Sequence, residues 1–167
     1  MTATNVSSSW SGGDLYFRDK SGNEILHLDG TNRKLIAPVG VVLNQRTRVT
    51  TAQVNAGYTL LAAMSGYKYR VVDFTLIAIG GNAATATSVD LLATQSASGV
   101  TLAAAAVAAL TRSTAVKPNT ANVTLIADGA SFVANDANPA ITIGKTGSNL
   151  ATATNVDVIL SYVIEAA

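Results

Sequence analysis

The sequence predicts an all-β protein, a β-sandwich of jelly-roll-like character carrying a small N-terminal β-hairpin or arm element. Three observations carry that expectation. Runs rich in Val, Ile, Thr and Tyr recur along the chain with Gly, Asn, Asp and Ser turns between them. Within those runs the apolar residues alternate at period two, as on a strand with one buried face. No series of long helical patterns separates them, which argues against a parallel α/β sheet.

Residues 69–79 are the clearest strand. Between Ser65-Gly66 and Gly80-Gly81-Asn82 the run is aromatic, aliphatic or β-branched apart from Arg70 and Asp73. Val72, Phe74, Leu76 and Ala78 share one face, which is expected to be buried. The opposite face carries Val71, Asp73, Thr75, Ile77 and Ile79, and its far end is too apolar to face water. Residues 155–164 repeat this character. Val156, Val158, Leu160, Tyr162 and Ile164 are wholly apolar, and Ile159 and Val163 break the polarity of the other face. The two strands are therefore expected to be neighbours. Ile77, Ile79, Ile159 and Val163 become candidates for contact with another subunit.

From the start of the chain, residues 1–13 are small and polar and read as a flexible arm, with Trp10 its one large apolar group. Tryptophan there suits either packing on its own domain or an anchor in a partner's pocket. Two short strands, 14–18 and 24–28, flank Lys20-Ser21-Gly22-Asn23, a good hairpin turn. A second turn at 29–32 leads to a third strand from Arg33 to Ile36. A sheet this small is marginal alone and needs a body to pack on. Pro38-Val39-Gly40 marks the boundary between an N-terminal unit, 1–38, and the sandwich, 39–167. Extended segments at 41–44 and 46–51 lead into strands at 58–62, 69–79, 88–94, 121–127, 140–144 and 155–164. Turns fall at 55–57, 80–82, 96–99, 128–129, 135–139 and 147–149. Residues 102–110, Leu-Ala-Ala-Ala-Ala-Val-Ala-Ala-Leu, are apolar all round and rich in good helix formers. They read as a short helix or Ala-rich crossover in preference to a strand.

Composition bounds the chemistry. Charged residues are 13% of the chain and aromatics 5%, so a bland surface or one covered in an assembly is expected. The net charge of +1 makes no electrostatic case for nucleic acid or an acidic membrane. Residues 1–70 carry eight Lys/Arg against four Asp/Glu, and residues 71–167 carry three against six. Without cysteine there is no disulfide, thiolate or zinc-thiolate chemistry. The N-terminus lacks a basic and apolar leader, so synthesis in the cytoplasm is expected.

No catalytic pattern stands out. One histidine, His27, leaves little scope for a triad or metal site, and its position in a strand reads as exposed. Asp73 and Asp157 lie within apolar strands and read as structural ion pairs with a basic partner such as Arg70. The remaining acids lie mostly in turns or on solvent-side strand positions. Gly80-Gly81-Asn82 lacks the lysine and helix of a phosphate loop. Residues 135–138 miss calcium-loop spacing. Tyr16, Tyr58, Tyr67 and Tyr69 fit strand-end packing better than a sugar platform. The expectation is a non-enzyme with no cofactor and no metal.

Two stretches carry a resemblance. Gly13-Asp14-Leu15-Tyr16-Phe17-Arg18-Asp19, continuing through Gly22-Asn23-Glu24-Ile25 to Asp29-Gly30-Thr31-Asn32-Arg33-Lys34-Leu35, resembles a segment near the start of small tailed-phage virion proteins. Val54-Asn55-Ala56-Gly57-Tyr58-Thr59-Leu60-Leu61, Tyr69-Arg70-Val71-Val72-Asp73 and Thr154-Asn155-Val156-Asp157-Val158 are similar to the β-sandwich of phage capsid decoration (cement) proteins. Together they span under half the chain, and residues 102–110 depart from the pattern. The resemblance implies a homotrimer on the outer capsid surface, bound to the major capsid protein, with no catalytic residues, no nucleic acid and no membrane. Residues 1–36 then hold the capsid-contact candidates Trp10, Tyr16, Phe17, Arg18, Arg33 and Lys34. The alternative is a receptor- or glycan-binding module of a tail or head fibre, with exposed aromatics and carboxamides clustered at one end of the sandwich.

Overall fold

The computed structural model describes residues 6–31, 33–36, 41–117 and 140–166. The expected strand 121–127, the turns at 128–129 and 135–139 and the boundary at 38–39 lie outside them. Four strands form an N-terminal sheet: β1 (Ser7–Ser11), β2 (Asp14–Arg18), β3 (Glu24–Asp29) and β4 (Lys34–Ile36), in that spatial order. Then follow β5 (Leu43–Thr50), α1 (Thr51–Ala56), β6 (Tyr58–Leu61), β7 (Tyr67–Ile79), β8 (Ala84–Gln95) and β9 (Ser98–Ala106). A 3-10 turn (Val107–Ala109), β10 (Ala115–Val116), β11 (Ile141–Ala151) and β12 (Asn155–Ala166) complete the order.

The larger unit has two four-stranded antiparallel sheets, β10-β7-β12-β5 and β6-β11-β8-β9. Val49, Phe74, Leu76, Val156 and Val158 of the first meet Leu61, Val89, Leu91, Ile141 and Ile143 of the second in one buried cluster. The all-β sandwich expected from the alternation is thus present. The two strands of matching character are neighbours: β12 runs antiparallel to β7 from Asn155 opposite Ile79 to Ala166 opposite Tyr67. Their period-two faces explain this, since aligned wholly apolar faces bury together.

Four expectations are corrected. Val72 is 51% exposed. Ser161 pairs with Asp73 and Tyr162 with Val71, so Val72 is the extra residue of a β-bulge and is turned outward. Past the bulge the inward face passes to Val71 and to buried Tyr69. Residues 102–110 do not form a helix. Ala103, Ala104 and Ala105 pair with Leu91, Asp90 and Val89 as part of β9, and only Val107–Ala109 coil. Leu102 to Ala105 are all buried, and tertiary burial on a neighbouring strand outweighs the helix propensity of alanine. Residues 51–56, placed partly in an extended segment, form α1. The Thr50 hydroxyl accepts from the Gln53 N–H at 3.2 Å, and Gln53 Oε1 accepts from the Thr50 N–H at 2.9 Å. That Thr-x-x-Gln capping box was the legible signal, and Val54 anchors the helix in the core. Finally, residues 7–11 are not a free arm but strand β1, laddered on β2 from Ser7–Arg18 to Ser11–Asp14.

Candidate functional site

The N-terminal sheet is built on its hairpin turn. Asp19 Oδ1 accepts the N–H of Ser21 at 2.8 Å and of Asn23 at 2.9 Å, and Gly22 takes the positive φ of 84° that the turn requires. Asn23 and the surrounding N–H groups hold the Asp19 carboxyl below the usual range. The resulting register sorts side chains onto two unlike faces.

One face lies against the sandwich. Tyr16, His27 and Ile36 align across β2, β3 and β4. His27, expected on the surface, is 2% exposed. Its ring lies 4.8 Å from that of Tyr16 and 6.3 Å from that of Tyr67, and its Nδ1 is 2.6 Å from Glu24 Oε1. The histidine is buried because its sheet face is closed by the sandwich, which alternation within β3 could not reveal. Lys34 Nζ donates to the Tyr162 hydroxyl at 2.7 Å, and Ile36 enters the central cluster. Burial raises the Tyr67 hydroxyl above its ordinary pKa.

The other face is open and apolar. The register aligns Trp10, Leu15, Leu28 and Leu35 in one row across all four strands, with Phe17 and Leu26 in the next. Trp10 is 75% exposed and Leu28 44%; Leu15, Phe17, Leu26 and Leu35 are half-buried. The capsid-contact candidates therefore divide. Trp10 and Phe17 are on the open face and Arg33 is exposed in the turn before β4. Arg18 stacks over Tyr16 and donates to the Gly22 carbonyl at 3.1 Å. Tyr16 and Lys34 are engaged within the chain. Sequence reasoning missed Leu15, Leu26, Leu28 and Leu35 as members of this face, although their alternation with polar neighbours was legible.

A second surface is the outer face of β10-β7-β12-β5. Ile77, Ile79 and Ile159 are half-buried there. Val163 is 2% exposed and stands outside the central cluster, so this chain already covers it. Asp157, fully buried, accepts from Arg48 Nε at 2.6 Å and Nη2 at 2.9 Å and from Arg46 Nη2 at 2.5 Å. These bonds, Arg48's foremost, hold its carboxyl at about 2. Asp73 pairs with Lys117 at 3.1 Å, and Arg70 with Glu165 at 2.6 Å. The ion pairs expected at Asp73 and Asp157 exist, with Arg70 the partner of neither. The two arginines on β5 reach Asp157 because β5 is the other neighbour of β12.

Among the described residues no three His, Cys, Asp or Glu side chains gather in a group that could hold a metal. Asp90 departs from the solvent-side placement expected of most acids. It is buried, with Thr146 donating to Oδ2 at 2.7 Å and Oδ1 without a hydrogen bond. The tyrosines make no open platform. Tyr69 is buried edge-on against Tyr162, with burial pushing its hydroxyl up to about 12, and Tyr58 packs on the core. No family model matches the chain, no curated protein matches it in sequence, and no solved structure matches it.

Proposed function

We propose that the chain is a structural virion protein, a homotrimeric capsid decoration protein made in the host cytoplasm and seated on the outer surface of a tailed-phage shell. The observation that carries this reading is the open apolar face of the N-terminal sheet, with Trp10 at its edge strand and its opposite face fixed to the sandwich. Large exposed apolar patches mark protein–protein contact, and aromatic anchors dominate such contacts. The strand order β10-β7-β12-β5 over β6-β11-β8-β9 supports the reading, because two facing four-stranded antiparallel sheets accord with a jelly roll, an architecture used in viral shells. So does the resemblance of residues 13–35.

Docking converts exposed apolar area into stabilisation at roughly 25 cal/mol per Å². A patch of six side chains falls short of the ~800 Å² per partner of a stable stand-alone interface. Attachment through three linked copies compensates, since each bound copy raises the effective concentration of the next.

The test is co-sedimentation of the purified chain with undecorated shells. Trp10→Ser combined with Leu28→Ser is expected to abolish attachment while circular dichroism and the unfolding midpoint stay unchanged. Full decoration by that variant overturns the reading. Light scattering is expected to give three times 17.0 kDa, and a monomer at micromolar concentration counts against the trimer.

A further inference from the structure

The edges of the described sheets are managed unequally. An exposed edge strand offers unpaired N–H and C=O groups to any extended chain, and proteins blunt such edges with charge, proline, bulges or brevity. Here β10 is two residues long, β4 three and β6 four. Edge strand β5 carries Arg46 and Arg48, both ion-paired outward on Asp157. Edge strand β9 has Ala103, Ala104 and Ala105 buried. Strand β1 has none of these protections. Ser7-Ser8-Ser9-Trp10-Ser11 holds no charge and no proline, its ladder to β2 is unbroken by a bulge, and all five residues are exposed.

From this we infer that β1 is a self-pairing edge, and that its occupant is β1 of a second copy, laid antiparallel about a two-fold axis at Ser9. Strand composition supports that occupant. In this register Ser9 meets Ser9, Ser7 meets Ser11 and Ser8 meets Trp10, so each indole lies over a small serine and no two indoles or like charges collide. Ser8 and Trp10 share the open apolar face with Leu15 and Phe17. Pairing therefore fuses two four-stranded sheets into one of eight strands, with a single continuous apolar face twice the width. That enlargement addresses the shortfall in area of one copy's patch. The pairing itself is independent of what the enlarged face binds, and it links chain to chain whether or not a shell is present.

Five residues of edge bury less than a stable dimer needs, so association is expected to be weak in dilute solution and to rise with concentration. Cross-linking captures it cleanly, because the chain has no cysteine. Directly opposed residues in an antiparallel pair have Cα atoms about 4.5 or 5.5 Å apart, both within disulfide reach. In the full-length chain, Ser9→Cys is expected to form a disulfide-linked dimer under mild oxidation. The rate should exceed that of Ser21→Cys, a control in the exposed turn of the same sheet, by about tenfold or more, reflecting the local concentration of the paired thiols. Ser9→Lys, which places like charges at the axis, is expected to shift the concentration dependence of light scattering toward the smaller species.

Equal rates for Ser9→Cys and Ser21→Cys overturn the proposal, as does unchanged scattering for Ser9→Lys. Faster self-linkage of Ser7→Cys than of Ser9→Cys overturns the register. If neither assay detects self-pairing yet Ser9→Lys abolishes co-sedimentation with shells, the edge belongs to the shell protein and not to a second copy. Loss of shell binding by Trp10→Ser with Ser9→Cys dimers intact separates failure of this pairing from failure of the proposed function.

Discussion

Lys34 and Tyr162, 128 positions apart, meet where the N-terminal sheet joins the sandwich: the lysine ammonium donates to the tyrosine hydroxyl at 2.7 Å and lies 5.1 Å from the centre of its ring. With Ile36 in the core and His27 against Tyr67, this contact makes the small sheet part of the same body as the sandwich. The arrangement leaves the sheet's other face outward. The contact thus connects intramolecular packing to the exposure of the open apolar face.

Tyr162→Phe keeps the ring and removes the acceptor. A hydrogen bond to a charged donor contributes about 1.5–3 kcal/mol, and Lys34 is only half-buried, so a smaller loss of about 1 kcal/mol is expected in urea unfolding. Hydrogen exchange should quicken first in residues 14–36 and leave β7 and β12 protected. Uniform quickening across the sandwich would show that the contact does not fasten the sheet locally.

Asp157 makes stability depend on acid pH. Its folded pKa of about 2 lies below the ordinary value of 3.8, so the unfolded chain binds the proton more readily. The contribution is therefore present above about pH 4–5 and is lost as pH falls toward 2. A shift of this size corresponds to about 2 kcal/mol, reduced to ~1 kcal/mol because both guanidinium partners are more than half exposed. Asp157→Asn is expected to flatten the stability profile between pH 4 and 2 in a denaturant series at fixed salt. An unaltered slope would place the acid sensitivity in other carboxylates.

The bulge separates Val72 from Phe74, two residues that unbroken alternation would place on one face. Phe74→Ala should cost about 3–5 kcal/mol, as for a buried aromatic. Val72→Thr should stay within about 0.5 kcal/mol, as for an exposed site. Guanidinium unfolding of the two variants measures both. A large loss for Val72→Thr would mean that the strand keeps unbroken alternation.

Trp10 is the single tryptophan and is 75% exposed, so it reports on its own surface. Its fluorescence is expected to be red-shifted and readily quenched by iodide in dilute protein, and to shift blue when the open face is covered. Trp10→Ser should change the unfolding free energy by less than about 0.5 kcal/mol. An indole already blue-shifted and shielded in the dilute chain would contradict the open face.

The all-β class, the pairing of β7 with β12 and the hairpin around Gly22 were legible because each depends on short-range pattern: period-two alternation, matched strand faces and turn chemistry. The open face was half legible, since the alternation of Leu15 with Phe17 and of Leu26 with Leu28 sorts residues to one side without saying which side is covered. Only the tertiary structure decided that His27 is buried while Trp10 is open, that Arg46 and Arg48 hold Asp157, and that the alanines at 103–105 extend as strand. Burial of a sheet face is set by what packs on it from far along the chain. A bulge such as that at Val72 is set by register against a partner strand. Neither quantity is a property of a local stretch of residues, which is why local pattern marked most of the strands while packing from far along the chain decided their faces and the remaining elements.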